Sequence, residues 1–108
     1  MQKNIVVKDI NTNPSLLDNF LGMLLSKNSH GLLFKTHFGI HTFFMKSPID
    51  VLILDKKNNV AIVKRSMNPN RIYTWSIMFN NVLELPNGTI KKLKINTGDN
   101  LKFINHKS

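Results

Sequence analysis

The chain has 108 residues, of which 42% are hydrophobic and 19% are charged, a composition typical of one folded domain and incompatible with a wholly disordered chain. Fifteen lysines and arginines against six acidic residues give a net charge of +9, which favours an anionic ligand or nucleic acid as the partner. The sequence contains no cysteine, which excludes disulfides, thiol catalysis and cysteine-ligated metals and is typical of a cytoplasmic protein.

The first third of the chain predicts one strand and the longest helix. Residues 5–7 form a β run that is too short for the core of a signal peptide. Asn13 and Pro14 provide an N-cap and a first helical residue, and apolar residues then recur with a helical period up to Leu25. The uncharged stretch at residues 36–45 is partly polar and shorter than the ~18 apolar residues of a membrane span. We therefore expect no membrane span and a cytoplasmic location.

From residue 31 onward, short β runs alternate with turns. The predicted strands cover residues 32–34, 39–45, 49–54, 60–64, 72–77, 82–85 and 100–104. A hairpin turn is predicted at residues 55–59, where asparagines tolerate a positive φ, and one helical turn at residues 89–93, with Thr89 as its cap. Short strands without a repeat or linker predict a single mainly β domain over residues 1–108, an antiparallel β-sandwich or barrel with one N-terminal helix.

Three stretches carry a recognisable pattern: H-T-F-F-M-K-S-P-I-D at residues 41–50, L-E-L-P-N-G at residues 83–88 and T-G-D at residues 97–99. Together they resemble the prokaryotic family called domain of unknown function 192, over roughly residues 20–104. The resemblance implies a compact β-sandwich or barrel with short helices, and it implies no activity because none is assigned to the family. Where the family usually has an arginine before a G-L-M element, this chain has Asn19; if that arginine binds a carboxylate or phosphate, this chain lacks the contact.

The recognised core contains polar residues that are candidates for a binding site. A His41–Asp50 pair has the chemistry of general acid–base catalysis, because a carboxylate orients an imidazole. The same residues also fit a structural role, in which the aspartate accepts backbone N–H groups in a loop. Glu84, the sole glutamate of the chain, is expected to pair with a lysine or an arginine. The candidate ligand-binding residues are His41, Thr42, Lys46, Asp50 and Glu84.

Motifs for metals, cofactors and nucleophiles are not found in the sequence. The possible metal ligands lack the spacing of a known site; they are His37, His41, Asp50, Asp55 and Glu84. No G-x-G-x-x-G, G-K-[ST] or G-x-S-x-G motif occurs. The sequence therefore predicts no metal and no cofactor, and it has no signature of nucleophilic catalysis.

Cations next to aromatic residues indicate an alternative, because single-stranded nucleic acids bind to basic surfaces on which exposed aromatic rings stack with the bases. The cluster comprises Arg65, Arg71, Tyr73 and Trp75 and contains both arginines of the chain. Trp75 fits a core anchor equally well. An open basic face that includes these residues would favour nucleic-acid binding.

The leading hypothesis is a non-enzymatic binding or accessory domain with an unidentified ligand. The first alternative is sequence-tolerant nucleic-acid binding through a basic face. The second is a small enzyme that uses the His41–Asp50 pair, and a pocket shared by His41, Asp50 and Glu84 would favour it.

Overall fold

The protein is mainly β. Its structure, a computed structural model, describes residues 2–11, 31–35, 40–41, 48–75, 79 and 81–105. Within these ranges the chain forms eight strands and one short helix. In chain order they are β1 (Asn4–Asn11), β2 (Gly31–Lys35), β3 (Ile40–His41), β4 (Ile49–Leu54), β5 (Val60–Met67), β6 (Ile72–Tyr73), β7 (Asn81–Pro86), α1 (Thr89–Leu93) and β8 (Asn100–Asn105). The mainly β prediction and the helical turn at residues 89–93 are confirmed.

Six strands form one sheet in the order β5-β4-β7-β2-β1-β8, and β3 pairs with β6 in a two-stranded sheet. The strands β5, β4, β7 and β2 are antiparallel to one another. β1 runs parallel to both β2 and β8, an arrangement that the strand pattern did not reveal. A parallel pair needs a connection of about a dozen residues or more, and residues 12–30 between β1 and β2 are long enough to supply it.

The sheet curls without closing into a barrel in the part of the chain that the structure describes. Its edge strands β5 and β8 meet at one end, where Asn59 and Asn100 form a bridge. The Val60 N–H donates to the Asp99 carbonyl, and the Val60 carbonyl accepts the Gly98 N–H, both at 2.8 Å. The two edges are therefore joined beside the hairpin between β4 and β5.

The sheet buries apolar side chains on both faces. Alternate residues of β4 point to opposite faces, and all six are buried, as predicted for a central strand. We call one apolar cluster the helix-side core, since it includes a residue of α1; it comprises Val7, Ile10, Leu52, Leu54, Val60, Leu83, Leu85, Ile90, Ile95 and Leu101. We call the other the aromatic-side core; it comprises Ile49, Val51, Ile53, Met67 and Val82, with Ile62, Tyr73, Trp75 and Phe79 partly buried against it.

Several predicted strands have different ends in the structure. The strand predicted at residues 60–64 continues to Met67, because pairing with β4 resumes after an irregularity at the charged residues. The strand predicted at residues 72–77 is shorter, since β6 ends at Tyr73 and Trp75 lies beyond it. The helix predicted at residues 13–25 and most of the strand predicted at residues 39–45 lie outside the described residues.

Gly31 permits the close approach of β1, β2 and β7. A Cβ atom at this position would lie 2.7 Å from Ile10 Cδ1, 2.9 Å from Leu85 Cδ2 and 3.1 Å from the Glu84 carbonyl oxygen. Ile10 and Leu85 are packed in the helix-side core, so neither side chain can move aside freely. We expect Gly31→Ala to lower the free energy of unfolding in urea by about 1–3 kcal/mol. Lys35→Ala, at the exposed end of the same strand, is the control, and equal stability of the two variants would contradict the tight contact.

Candidate functional site

Asp50 is a buried carboxylate whose described partners are all backbone N–H groups. The residue is 1% exposed. Its Oδ1 accepts from Ser66 N at 2.9 Å, and its Oδ2 accepts from Gly88 N at 3.1 Å and from Ile90 N at 2.9 Å. Hydrogen bonds to a charged acceptor are stronger than neutral ones, and losing a partner of a buried group leaves the other unsatisfied. Asp50 therefore joins β4 to β5 and to the start of α1.

The hydrogen bond from Ser66 stabilises a β-bulge in β5. The register between β4 and β5 shifts by one residue here, so that both Arg65 and Ser66 lie opposite Asp50. Ser66 has a φ of 51°, in the left-handed region that is unfavourable for a residue with a side chain. Its N–H donates to Asp50, and its hydroxyl donates to Asn87 Oδ1 at 2.6 Å. These two bonds hold the bulge in place.

Asp50 also supplies the N-terminal cap of α1. The N-cap position is occupied by Gly88 with a φ of 92°, and no side chain at that position caps the helix. The Asp50 carboxylate, which lies on β4, caps the helix instead, because it accepts hydrogen bonds from the N–H groups of Gly88 and Ile90. The Thr89 hydroxyl donates instead to the Pro86 carbonyl at 2.6 Å. The prediction that Thr89 caps this helix is therefore wrong, since Thr89 is its first residue.

Two further aspartates hold turns in the same way. Asp55 accepts two backbone N–H groups within the hairpin between β4 and β5. Asp99, next to Gly98 in the T-G-D element, accepts the N–H groups of Lys3 and Asn96. Burial alone would raise the pKa of Asp99, but the hydrogen bonds from Asn96 and Lys3 and the charge of Lys3 outweigh it and lower the pKa below its ordinary value. The T-G-D element therefore ties the start of the chain to the loop before β8.

Glu84 differs from these aspartates, because no described residue donates a hydrogen bond to its carboxyl. It is 5% exposed and lies in β7 opposite Leu32 and Val51. The expected ion pair with a lysine or an arginine is not found among the described residues. Burial raises the pKa of the Glu84 carboxyl to about 8. The group is therefore mostly protonated at neutral pH.

Asp50 and Glu84 lie on opposite faces of the sheet. Asp50 is opposite Leu85, a residue of the helix-side core, whereas Glu84 is opposite Val51, a residue of the aromatic-side core. Side chains directly opposite each other on neighbouring strands share one face, so the two carboxyls point away from each other. One pocket cannot contain both.

His41 is associated with the aromatic side of the sheet. It lies in β3, which pairs with β6, and Tyr73 of β6 packs against the aromatic-side core. Asp50 is on the opposite face and uses both of its oxygens for backbone N–H groups. The structure does not describe the His41 side chain, so the His41–Asp50 pair on which the enzyme alternative depends stays a prediction.

The candidate site residues His37, Thr42 and Lys46 lie outside the described residues, and so does Asn19. Within the described ranges, no group of three His, Asp or Glu side chains is placed to hold a metal ion. The helices in those ranges include none long and apolar enough to cross a membrane. The set of five candidate ligand-binding residues stays a prediction. Of its members, Asp50 and Glu84 are the two whose side chains the structure describes.

The arginine–aromatic cluster is divided between the two faces of the sheet. Tyr73 and Trp75 are half-buried against the aromatic-side core, with ring centroids 5.7 Å apart, and the Trp75 indole N–H donates to the Phe79 carbonyl. Arg65 lines a concavity together with residues of the helix side, and Arg71 is exposed between β5 and β6. Arg65 therefore lies on the opposite face from the two rings, and nucleic-acid binding through these four residues stays a prediction.

The concavity beside Arg65 was not anticipated from the sequence. It has a volume of about 380 Å³ and is lined by Val63, Arg65, Ile95, Asn96 and Thr97. The lining residues come from β5 and from the loop between α1 and β8, two segments that are distant in the sequence. The one local sign of this concavity in the sequence was the cationic side chain of Arg65. The β-bulge at which it lies depends on hydrogen bonds to Asp50 and Asn87.

Comparison with known proteins places the chain in a family. Residues 21–103 match the model of domain of unknown function 192, described as an uncharacterised ACR. The UPF0127 protein of Pyrococcus abyssi is 36% identical over 99 residues, which are 82% of this chain and 84% of that relative. The UPF0127 protein of Thermococcus kodakarensis is 35% identical over 92 residues, which are 79% of this chain and 58% of that relative.

A solved structure shares the fold. The crystal structure of a protein of unknown function from Novosphingobium aromaticivorans superimposes with a TM-score of 0.65 at 14% identity, covering 84% of this chain and 70% of that one. At this identity the likeness concerns the fold alone. The match over residues 21–103 and the identity with the archaeal UPF0127 proteins show that the chain belongs to the domain of unknown function 192 family, for which no ligand or activity is defined.

Proposed function

We propose that this protein is a non-enzymatic binding domain that holds its ligand against the aromatic side of the sheet, at Glu84. The observation that carries the proposal is a buried carboxyl without a described hydrogen-bond donor. The aspartates at positions 50, 55 and 99 each accept at least two backbone N–H groups. Backbone N–H groups therefore supply hydrogen bonds to these three aspartates. Among the described carboxyl groups, Glu84 is the one without such hydrogen bonds.

An unsatisfied buried polar group favours a binding role for Glu84. Burying such a group costs free energy unless it is hydrogen bonded, and groups with strongly perturbed pKa values cluster at functional sites. The described residues place no second titratable side chain in hydrogen-bond contact with Glu84. Binding therefore fits this position better than acid–base catalysis, which needs a partner group or a positioned substrate.

The chemistry around Glu84 indicates the class of ligand. A protonated carboxyl donates one hydrogen bond and accepts another, which matches the N–H and C=O groups of a carboxamide. Its cross-strand neighbours Leu32 and Val51 are fully buried and apolar, and the rings of Tyr73 and Trp75 lie on the same face. The ligand that fits is an uncharged molecule with an amide group on an apolar body. A cytoplasmic setting, suggested by the absence of cysteine, is part of the same proposal.

The test is a fluorescence titration that uses Trp75, the only tryptophan of the chain, with cyclohexanecarboxamide as the probe. We expect a saturable change in emission, because Trp75 packs against the aromatic-side core. Glu84→Leu replaces the carboxyl group with an apolar side chain of similar size and so removes both hydrogen bonds, and the affinity of this variant should fall by about tenfold or more. The same ring carrying a carboxylate or an amine should bind more weakly than the amide.

Met67→Leu is the matched control, because it alters the aromatic-side core without removing a polar group. Its affinity for cyclohexanecarboxamide should stay within about twofold of the unmodified protein. The proposal is wrong if the amide gives no saturable change, or if Glu84→Leu binds it as well as the control. Native mass spectrometry of protein purified gently from its host gives a second readout, because the mass of a natural ligand held at Glu84 should be present in the unmodified protein and lost in Glu84→Leu.

A further inference from the structure

We propose that the concavity beside Arg65 is a second binding site, which takes a small organic oxyanion with an apolar body and is independent of Glu84. The site lies between β5 and the loop that connects α1 to β8. Its volume of about 380 Å³ falls within the range of about 300–1,000 Å³ that is usual for small-molecule sites.

The cation at this site is not neutralised by the rest of the described chain. Arg65 is exposed, and no described carboxylate forms an ion pair with it. Asp50 lies opposite the bulge that contains Arg65, but its two oxygens accept backbone N–H groups. Asp99, which follows the loop of the site, is likewise engaged by backbone N–H groups and by Lys3. The guanidinium therefore keeps its donors for a ligand.

The lining of the concavity combines a polar rim with an apolar floor. Val63 is half-buried and presents hydrocarbon to the cavity, and Ile95 is fully buried beneath it. Asn96 and Thr97 are exposed and contribute amide and hydroxyl groups at its edge. A guanidinium binds the two oxygens of a carboxylate or a phosphate in a fork. The matching ligand is therefore a carboxylate or a phosphate monoester joined to a short apolar group.

The bulge in β5 orients Arg65 before any ligand arrives. Lys64, the residue before it, has its Nζ 5.0 Å from the centroid of the Tyr73 ring on the aromatic side. Arg65 shares the cavity with Val63, and the adjoining Ser66 is held by Asp50 and Asn87. A cation on a hydrogen-bonded strand loses less conformational freedom on binding than one on a loose loop.

The test is an amide NMR titration of the full chain with phenyl phosphate, benzoate and inorganic phosphate as separate probes. We expect saturable shifts of the Val63, Asn96 and Thr97 amides with phenyl phosphate or benzoate, and the tighter of the two distinguishes a phosphate from a carboxylate ligand. Arg65→Gln should weaken that binding by about tenfold or more, because it removes both the charge and the fork. Inorganic phosphate should bind more weakly than phenyl phosphate, because it lacks the apolar group.

Lys102→Gln removes one charge from an exposed position in β8, outside the concavity, and should leave the affinity within about twofold, apart from a screened long-range effect. Equal losses in Arg65→Gln and Lys102→Gln would overturn the proposal in favour of general attraction to a chain of charge +9. Shifts that never saturate, or that avoid the three lining amides, would overturn it as well. Glu84→Leu should bind phenyl phosphate normally, so this proposal and the proposed function can fail separately.

Discussion

Glu84→Gln is expected to raise the free energy of unfolding by several kcal/mol near pH 9 and to change it little near pH 5. Burial raises the pKa of Glu84 from 4.5 to about 8 in the folded protein, so between these values the folded state holds a proton that the unfolded state has lost. The stability of the unmodified protein therefore falls as the pH rises from about 4.5 to 8 and then levels off. Each pKa unit corresponds to about 1.4 kcal/mol, so the effect is on the order of 5 kcal/mol.

Glutamine has nearly the shape of the protonated glutamic acid and cannot ionise, so the variant should lack this fall in stability. The measurement is urea unfolding of both proteins at a series of pH values. Asp99→Asn is the control of opposite sign, because the pKa of Asp99 is lowered in the folded state. That substitution should destabilise the protein near neutral pH, and the difference should disappear as the pH falls below 3.8. Parallel pH profiles for the unmodified protein and Glu84→Gln would show that Glu84 is solvated or paired.

Asp50→Asn is expected to lower the free energy of unfolding by about 1–3 kcal/mol. The carboxylate accepts hydrogen bonds from the N–H groups of Ser66, Gly88 and Ile90. Asparagine has an NH2 group in place of one carboxylate oxygen, and this NH2 would face one of the backbone N–H donors. The charge that strengthens the remaining bonds is also lost. Both the bulge in β5 and the start of α1 should loosen, because one side chain holds them together.

Thermal melts of Asp50→Asn and Asp55→Asn test this expectation. Asp55 is half-buried and accepts hydrogen bonds from N–H groups within a local hairpin, where water can replace part of the hydrogen bonding that the substitution removes. Its substitution should therefore lower the melting temperature less than that of Asp50. An unchanged or raised melting temperature for Asp50→Asn would assign Asp50 to a ligand site, since functional groups are often held at a cost to stability.

The motifs that carry the family resemblance contain residues whose hydrogen bonds connect separate segments of the fold. Asp50 ends the H-T-F-F-M-K-S-P-I-D stretch, and Gly88, which ends L-E-L-P-N-G, donates its N–H to that carboxylate. Asp99 ends the T-G-D element and accepts N–H groups from Lys3 and Asn96. These residues explain why the resemblance predicts the fold. Glu84 is the member of the pattern without such a connection among the described residues.

Local patterns were sufficient for several elements. The largely apolar run at residues 49–54 predicted a strand buried on both faces, and Ile49–Leu54 is buried throughout, since a strand with apolar residues on both of its faces has no face for water. The asparagines at residues 58–59 predicted the hairpin, and Asn58 has a φ of 66° there. The helical turn at Thr89–Leu93 was also predicted, but its cap was assigned to the wrong residue, because the true cap comes from another strand.

By itself, the sequence determined a mainly β fold, a buried central strand and membership of a family, because alternation, turn residues and motifs are local properties of the chain. Only the tertiary structure decided that Asp50 accepts three backbone N–H groups, since the donors lie 16, 38 and 40 residues away. It also decided that Glu84 is buried without a described partner and that Arg65 faces away from Tyr73 and Trp75. The physical reason is that strand register and the bulge in β5 assign side chains to faces, and both depend on which strands pair.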